Sequence, residues 1–307
     1  MIVDLPTAIS KLKAGEVVAI PTETVYGLAA DASNDNALEQ IYAIKQRPAN
    51  NPLIVHIADI SHINDWAAEF TPLAERLAQA FWPGPLTLVL PAKAHVSSLL
   101  RANQPTVALR VPDHPLTLQL LKQSGLALAA PSANKFTQLS PTTAAHVQAG
   151  LGDALPVLDG GPCQIGIEST IVAVQGNDWQ MLRPGMISAA TIEAAAGKPA
   201  VSFSQPIKAP GQHALHYSPR TKMQLVPSRK ELIALANDST AALLIGEGVL
   251  PNCKSFQLNK HAPNVAQHLY STLHQMDALG KQLLLVETPP DAPEWAAILD
   301  RMTRAAS

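Results

Sequence analysis

Residues 53–90 read LIVHIADISHINDWAAEFTPLAERLAQAFWPGPLTLVL. Leu53 to Ile57 is a short apolar run, the pattern of a buried strand. Residues 73–81 are amphipathic at helical spacing and stop at Pro83-Gly84, which punctuates a helix end. Leu86 to Leu90 is a second apolar run. Strand, helix and strand in succession predict an α/β fold with helices packed on a sheet.

The alternation extends both ways along the chain. A short helix opens it, with Asp4 as cap, Pro6 in the first turn and Gly15 as stop. Strand-like runs lie at 16–20, 107–111, 126–130 and 170–174, with a further strand before Arg183. A polar loop, Pro21 to Thr24, separates the first of these from a helix at 36–46, which Pro48 stops. Around 202–222, Pro206, Pro210, Gly211 and Pro219 interrupt any periodicity, which reads as a linker. A second α/β pattern follows. It has a strand at 223–226, a helix opened by the capping box Ser228-Arg229-Lys230-Glu231, and strands at 241–245 and 283–286. Val265, Leu269, Leu273 and Met276 mark a helix face closed by Gly280, and 293–304 is a last helix. The expected organisation is a larger domain at 1–203, a linker at 204–222 and a small open-sheet α/β domain at 223–307.

Composition narrows the function classes. Across 307 residues, 47% hydrophobic and 15% charged leave ample material for a core and exclude wholesale disorder. The net charge of −2 is no basic footprint, so tight nucleic-acid binding is not expected. Cys163 and Cys253 form neither a disulfide framework nor a metal knuckle, and read as the reduced thiols of a cytoplasmic protein. No basic run precedes an apolar one at the start, and no stretch reaches about 18 apolar residues, so neither a signal peptide nor a membrane span is expected.

The familiar nucleotide motifs are missing: no GxxxxGK[ST] and no GxGxxG at a strand–helix junction. Lys45 and Arg47 end a helix, where basic residues complement the dipole or aim at phosphates. His56 interrupts the run 53–57, as a core histidine or as a hydrogen bonder at a pocket wall. Thr22, Thr24 and Tyr26 follow a strand and suit either a turn or a pocket lining. Ser132 and Asn134 follow the strand at 126–130, where open α/β sheets bind ligands, and their alternation lets both point the same way. An Asx or Ser turn is the other reading. With Arg110 and Arg183, the set suits an anionic, phosphorylated ligand.

Several strings are informative together. They are Pro21-Thr22-Glu23-Thr24-Val25-Tyr26-Gly27-Leu28, Lys45-Gln46-Arg47-Pro48 with Asn51-Pro52-Leu53-Ile54-Val55-His56, and Trp82-Pro83-Gly84-Pro85-Leu86-Thr87. Leu109-Arg110-Val111-Pro112, Ala130-Pro131-Ser132-Ala133-Asn134 with Ser140-Pro141-Thr142, and Gly160-Gly161-Pro162-Cys163 follow in order. Gly166-Ile167-Glu168-Ser169-Thr170-Ile171-Val172, Arg183-Pro184-Gly185 and the linker strings Pro210-Gly211 and His216-Tyr217-Ser218-Pro219 complete the set. In this order the strings resemble the L-threonylcarbamoyladenylate synthase family in its two-domain form. Gln212 and Lys222 depart from the family's linker pattern.

The resemblance implies a YrdC-like domain, a twisted mixed sheet with a large open cleft, plus a small Rossmann-like α/β C-terminal domain. It implies synthesis of L-threonylcarbamoyl-AMP from L-threonine, bicarbonate and ATP, with release of pyrophosphate and with Mg²⁺ carried mainly on the ATP phosphates. The product would serve the threonylcarbamoyl modification of the adenosine beside the anticodon, completed by a separate tRNA threonylcarbamoyl transferase machinery. By family position, Lys45, Arg47, Ser132 and Asn134 would carry the chemistry. Asn51, Thr106, Ser140, Arg183 and Tyr217 would join them on ATP. Thr24, His56, Arg110, Ala130 and Ser169 would hold L-threonine. The linker would act as a lid. Two other readings stay open on the sequence: a related carbamoyl-adenylate-forming transferase, and a non-catalytic RNA-binding or ribosome-maturation module.

Overall fold

The computed structural model describes residues 1–211 and 216–307, so Gln212 lies outside the described residues. The first unit contains strands β1 (Ile2–Val3), β2 (Val18–Ile20), β3 (Gly27–Asp31), β4 (Ile54–His56), β5 (Leu86–Pro91), β6 (Thr106–Arg110), β7 (Leu128–Ala129), β8 (Val157–Leu158), β9 (Thr170–Gln175) and β10 (Asp178–Arg183). Its helices are α1 (Leu5–Lys13), α2 (Asp35–Lys45), α3 (Ile63–Trp66), α4 (Pro72–Phe81), α5 (Pro115–Ser124), α6 (Ala144–Leu151) and α7 (Ala189–Ala196). The strands form one mixed sheet in the order β1-β8-β2-β3-β7-β4-β6-β5-β9-β10.

Local chemistry sets the helix starts. Asp4, Asn34, Thr71 and Ser188 each accept a backbone N–H from three residues on, at Thr7, Ala37, Ala74 and Thr191. That satisfies one of the donors every helix start leaves orphaned.

Strand alternation then divides the central sheet into two faces. Val55, Leu86, Leu88, Val107, Leu109 and Val172 pack into the main core with α2 and α4. Ile54, Val89, Ala108, Ile171 and Ala173 face the other way, and Phe203 with the linker residues Ile207 and Ala209 covers them. His56 and Arg110 follow Ile54 and Ala108 on that second face and are paired in register.

The second unit is a parallel four-stranded sheet, β11-β14-β12-β13, built from β11 (Met223–Val226), β12 (Thr240–Ile245), β13 (Lys254–Leu258) and β14 (Leu283–Glu287). Helices α8 (Arg229–Leu235), α9 (Ala262–Asp277) and α10 (Ala296–Ala305) accompany it. Its core runs into the first unit, because Val25, Leu139, Ile167 and Tyr217 pack with Val265, Leu269 and Ile298. Gly166 permits the close approach. A Cβ there would lie 2.4 Å from the Gln267 carbonyl on α9. An apolar interface of this kind restrains relative domain motion.

The main departures from the expected elements have physical causes. β3 reads Gly-Leu-Ala-Ala-Asp and is buried along its first four residues, so neither alternation nor strand propensity marks it. β13 has a single fully buried residue, Leu258, at the sheet edge. Of the run 126–130, only Leu128–Ala129 pairs as strand. The last helix is preceded by a separate 3-10 turn, Pro293–Trp295.

Candidate active site

The carboxyl ends of β4 and β6, the start of β9, the end of β10 and residues 130–132 enclose one cleft, roofed by Pro210, Gly211, His216 and Tyr217. With these linker residues in place the cavity is about 50 Å³.

Arg110 anchors one end. Its Nη2 lies 2.6 Å from Glu23 Oε1, its Nη1 donates to Thr24 Oγ1 at 3.0 Å, and its Nε donates to the Gly84 carbonyl at 3.2 Å. Both partners of the ion pair are almost fully buried. Thr24 Oγ1 also lies 2.8 Å from Thr22 Oγ1.

Arg183 reaches the cleft through a strand irregularity. Trp179 and Met181 face the main core, while Leu182 faces the linker side. Plain alternation would return Arg183 to the core side. The register with β9 shifts between Met181 and Arg183, and Arg183 lines the cleft instead. Re-aiming one side chain is what a bulge does. The guanidinium donates to the Ser169 carbonyl through Nε (3.1 Å) and Nη2 (2.9 Å), and to the Pro210 carbonyl through Nη1 (3.2 Å). Ser169 Oγ also meets Thr87 Oγ1 at 2.8 Å.

Arg47 donates to the Pro52 carbonyl at 3.1 Å, and burial lowers its pKa to about 10, so it stays cationic at neutral pH. Three guanidiniums thus face one cavity. Glu168 is the carboxylate among its lining residues. Ser140 Oγ (2.5 Å), Tyr270 Oη (3.0 Å) and Arg301 Nε (2.8 Å) donate to it. Burial alone would raise its pKa, but Arg301 and Arg183 hold it below the ordinary carboxylate value. Gly211 adopts φ +84°, and a Cβ there would sit 2.3 Å from Tyr217 Oη, so that turn requires glycine.

The chain matches two family models. The Sua5/YciO/YrdC model, described as "Telomere recombination", covers residues 10–185, and "Threonylcarbamoyl-AMP synthase, C-terminal domain" covers residues 187–307. The chain belongs to the threonylcarbamoyl-AMP synthase family. The Bacillus subtilis threonylcarbamoyl-AMP synthase is 38% identical over 322 residues, covering 97% of this chain and 92% of the relative. The Pyrococcus abyssi enzyme of that name is 36% identical, covering 96% and 91%. The crystal structure of P. abyssi Sua5 complexed with L-threonine superposes with a TM-score of 0.90 at 34% identity, over 100% of this chain and 97% of that one.

In this synthase-family cleft, Thr24, Arg47, His56, Arg110, Ala130, Ser132, Ser169, Arg183 and Tyr217 all line the cavity. The remaining sequence candidates lie outside the lining. Lys45 is buried beneath the 132–134 loop, its ammonium donating to the carbonyls of Ser132 and Asn134. Ser132 and Asn134 do not point the same way. The Asn134 amide donates to the carbonyls of Lys135 (2.8 Å) and Gln138 (2.9 Å). Asn51 Nδ2 bonds the Pro48 carbonyl and Asn50 Oδ1. Thr106 stands at the opposite end of β6 from Arg110, in register with Pro91. Ser140 touches the site through Glu168.

Glu23, Glu168 and Arg301 were not singled out from the sequence. Nothing local distinguishes the two carboxylates from solvated ones. Arg301 carried a signal, since it shares the buried stripe of α10 with Ala297, Ile298, Met302 and Ala305. As for a metal, no group of three or more His, Cys, Asp and Glu among the described residues could hold one. Glu168, the carboxylate among the cleft's lining residues, is already taken by three donors.

The cleft histidines predict a pH dependence. Burial, with Arg110 second, lowers the His56 pKa to about 3; burial, with Arg47 second, lowers that of His216 to about 2. In the unfolded chain both would titrate near 6.5. The folded state therefore binds fewer protons below that value, and stability falls as the pH drops from 6.5 toward the folded pKa values. Together the two cost about 3 kcal/mol by pH 5.5. Thermal unfolding across pH 7.5–5.0 should show Tm falling steadily below 6.5; a flat Tm would contradict the neutral buried imidazoles.

Proposed function

We propose that this chain makes L-threonylcarbamoyl-AMP from L-threonine, bicarbonate and ATP, and releases pyrophosphate. The observation that carries the reading is the convergence of Arg47, Arg110 and Arg183 on one cleft whose carboxylate is already compensated. Such a cleft favours a ligand with several negative charges.

L-threonine binds at the Arg110 end. The guanidinium takes its carboxylate, Thr24, His56 and Ser169 supply polar contacts, and the Ala130 backbone closes the wall. ATP binds at the Arg47 and Arg183 end with Ser132 and Tyr217 against it. Asn51 and Thr106 are family positions at the margin of that nucleotide site. Lys45 and Asn134 act by holding the 132–134 loop, and Ser140 by orienting Glu168. Mg²⁺ enters with the substrate as MgATP.

The threonine amine and bicarbonate give the N-carboxylate and water. A carboxylate oxygen of that carbamate attacks the α-phosphorus. The bond from the α-phosphorus to its bridging oxygen breaks, and pyrophosphate leaves. The nucleophile is already an anion, so the attack needs no proton removal. The guanidiniums stabilise charge on the phosphoryl oxygens and hold the reactants in line. Nucleotide sites are of the order of hundreds of Å³, so Pro210, Gly211, His216 and Tyr217 must lift for ATP to enter and then close over it. The adenylate passes to a tRNA threonylcarbamoyl transferase in the cytoplasm. No helix among the described residues is long and apolar enough to cross a membrane.

Pyrophosphate release by the purified chain with ATP and Mg²⁺ tests this directly. Release should require both L-threonine and bicarbonate, and L-serine should serve poorly. No ATP binding, together with RNA binding that weakens steeply with salt, would replace the reading with an RNA-binding one.

A further inference from the structure

The C-terminal unit reaches the cleft carboxylate Glu168 through Arg301 and Tyr270. Arg301 on α10 is completely buried. Its Nε donates to Glu168 Oε2 at 2.8 Å, and its Nη2 to the Pro184 carbonyl at 3.0 Å, both in the first unit. Its Nη1 donates to Asp300 at 2.5 Å. The guanidinium carbon lies 5.0 Å from the centre of the Tyr217 ring, within cation–π range. Tyr270 on α9 stacks against Tyr217, with ring centroids 6.0 Å apart, and donates to the same Glu168 oxygen.

Two cleft-lining groups therefore depend on Arg301. Glu168 faces the same space as Arg47 and Arg183. Without Arg301 its carboxylate would be short of a counterion, would turn to Arg183, and would oppose an entering triphosphate. Tyr217 would lose the cation against which its ring is set.

We propose that Arg301 is a positioning residue for the nucleotide: the C-terminal unit neutralises Glu168 and seats Tyr217, and so sets the affinity of the cleft for ATP. This rests on the adenylate-forming reading above.

The test compares the full-length wild type with Arg301→Met, Glu168→Gln and the double variant, by steady-state pyrophosphate release and thermal unfolding. Arg301→Met should raise KM for ATP about 10-fold or more, the scale of an unpaired buried charge, with KM for L-threonine nearly unchanged. The double variant leaves no carboxylate to compensate and should bring KM for ATP back to within about threefold of wild type, about 0.65 kcal/mol, the remainder being the lost cation against the Tyr217 ring. A role confined to folding would lower Tm without splitting the two KM values. If Arg301→Met does not fold, the double variant decides alone. An ATP KM unchanged in Arg301→Met, or still raised in the folded double variant, overturns the inference. A wild type without threonine-dependent release would instead sink the reading it rests on.

Discussion

Lys45→Met should lower threonine-dependent pyrophosphate release by about 10²-fold, the scale of misplacing a reacting group by about 1 Å. The cause lies in the loop that Lys45 holds. Lys45 ends α2, is 1% exposed, and its ammonium bridges the carbonyls of Ser132 and Asn134. Burial first, and Arg47 second, push its pKa well below that of an ordinary lysine, while the Glu168 carboxylate acts in the other direction. Methionine keeps the volume but donates nothing. Two buried carbonyls would each lose a partner, at a cost of about 1–3 kcal/mol apiece. The loop carrying Ser132 would shift, and placement errors near 1 Å can cost about 100-fold in rate. By its place at a helix end the sequence left Lys45 as a dipole partner or a phosphate ligand. Its buried position adds a structural role, so Tm should fall along with turnover. Turnover within about threefold of wild type would refute the loop-anchoring role, since a shifted loop predicts far more.

Arg110→Met should raise KM for L-threonine by about two orders of magnitude, as expected when one partner of a buried charge-assisted contact is removed. It should also destabilise the fold by about 3–5 kcal/mol, because Glu23 would be left as an unpaired buried carboxylate. The two effects are separable. Adding Glu23→Gln removes the stranded charge, so the double variant should regain most of its Tm while KM for L-threonine stays high. Recovery of KM along with Tm would mean that Arg110 serves the fold rather than the substrate. Glu23 has a second consequence. The 2.6 Å ion pair of its carboxylate with Nη2, and the hydrogen bond that Nη1 donates to Thr24 Oγ1 at 3.0 Å, hold the guanidinium in place before any ligand arrives. A pre-oriented fork loses less entropy on binding.

Much of the scaffold was legible because its determinants are local. Asp4 and Ser228 cap the helices they were expected to cap, each accepting a backbone N–H from three residues on. The runs at 53–57, 86–90, 107–111 and 170–174 became central strands, with ends displaced by a residue or so. Burial by the rest of the sheet is what made a strand of the alanine-rich β3, and that burial is invisible within the segment. The His56 ambiguity shows the limit from the other side. Strand alternation places His56 opposite Val55, but only the pairing with β6 sets it beside Arg110.

By itself, the sequence determined the element types, the two α/β patterns and the motif strings that mark the family, because dihedral preference, capping and periodicity act over a few residues. The tertiary structure alone decided what the charges do. It turned Lys45 onto a loop 87 residues away, sent Arg183 across the sheet at a bulge, and joined Glu168 to Arg301 over 133 residues. Sequence neighbours do not record such pairings. A buried charge is tolerated only where the folded chain brings it a partner, and the chain's path through space chooses that partner.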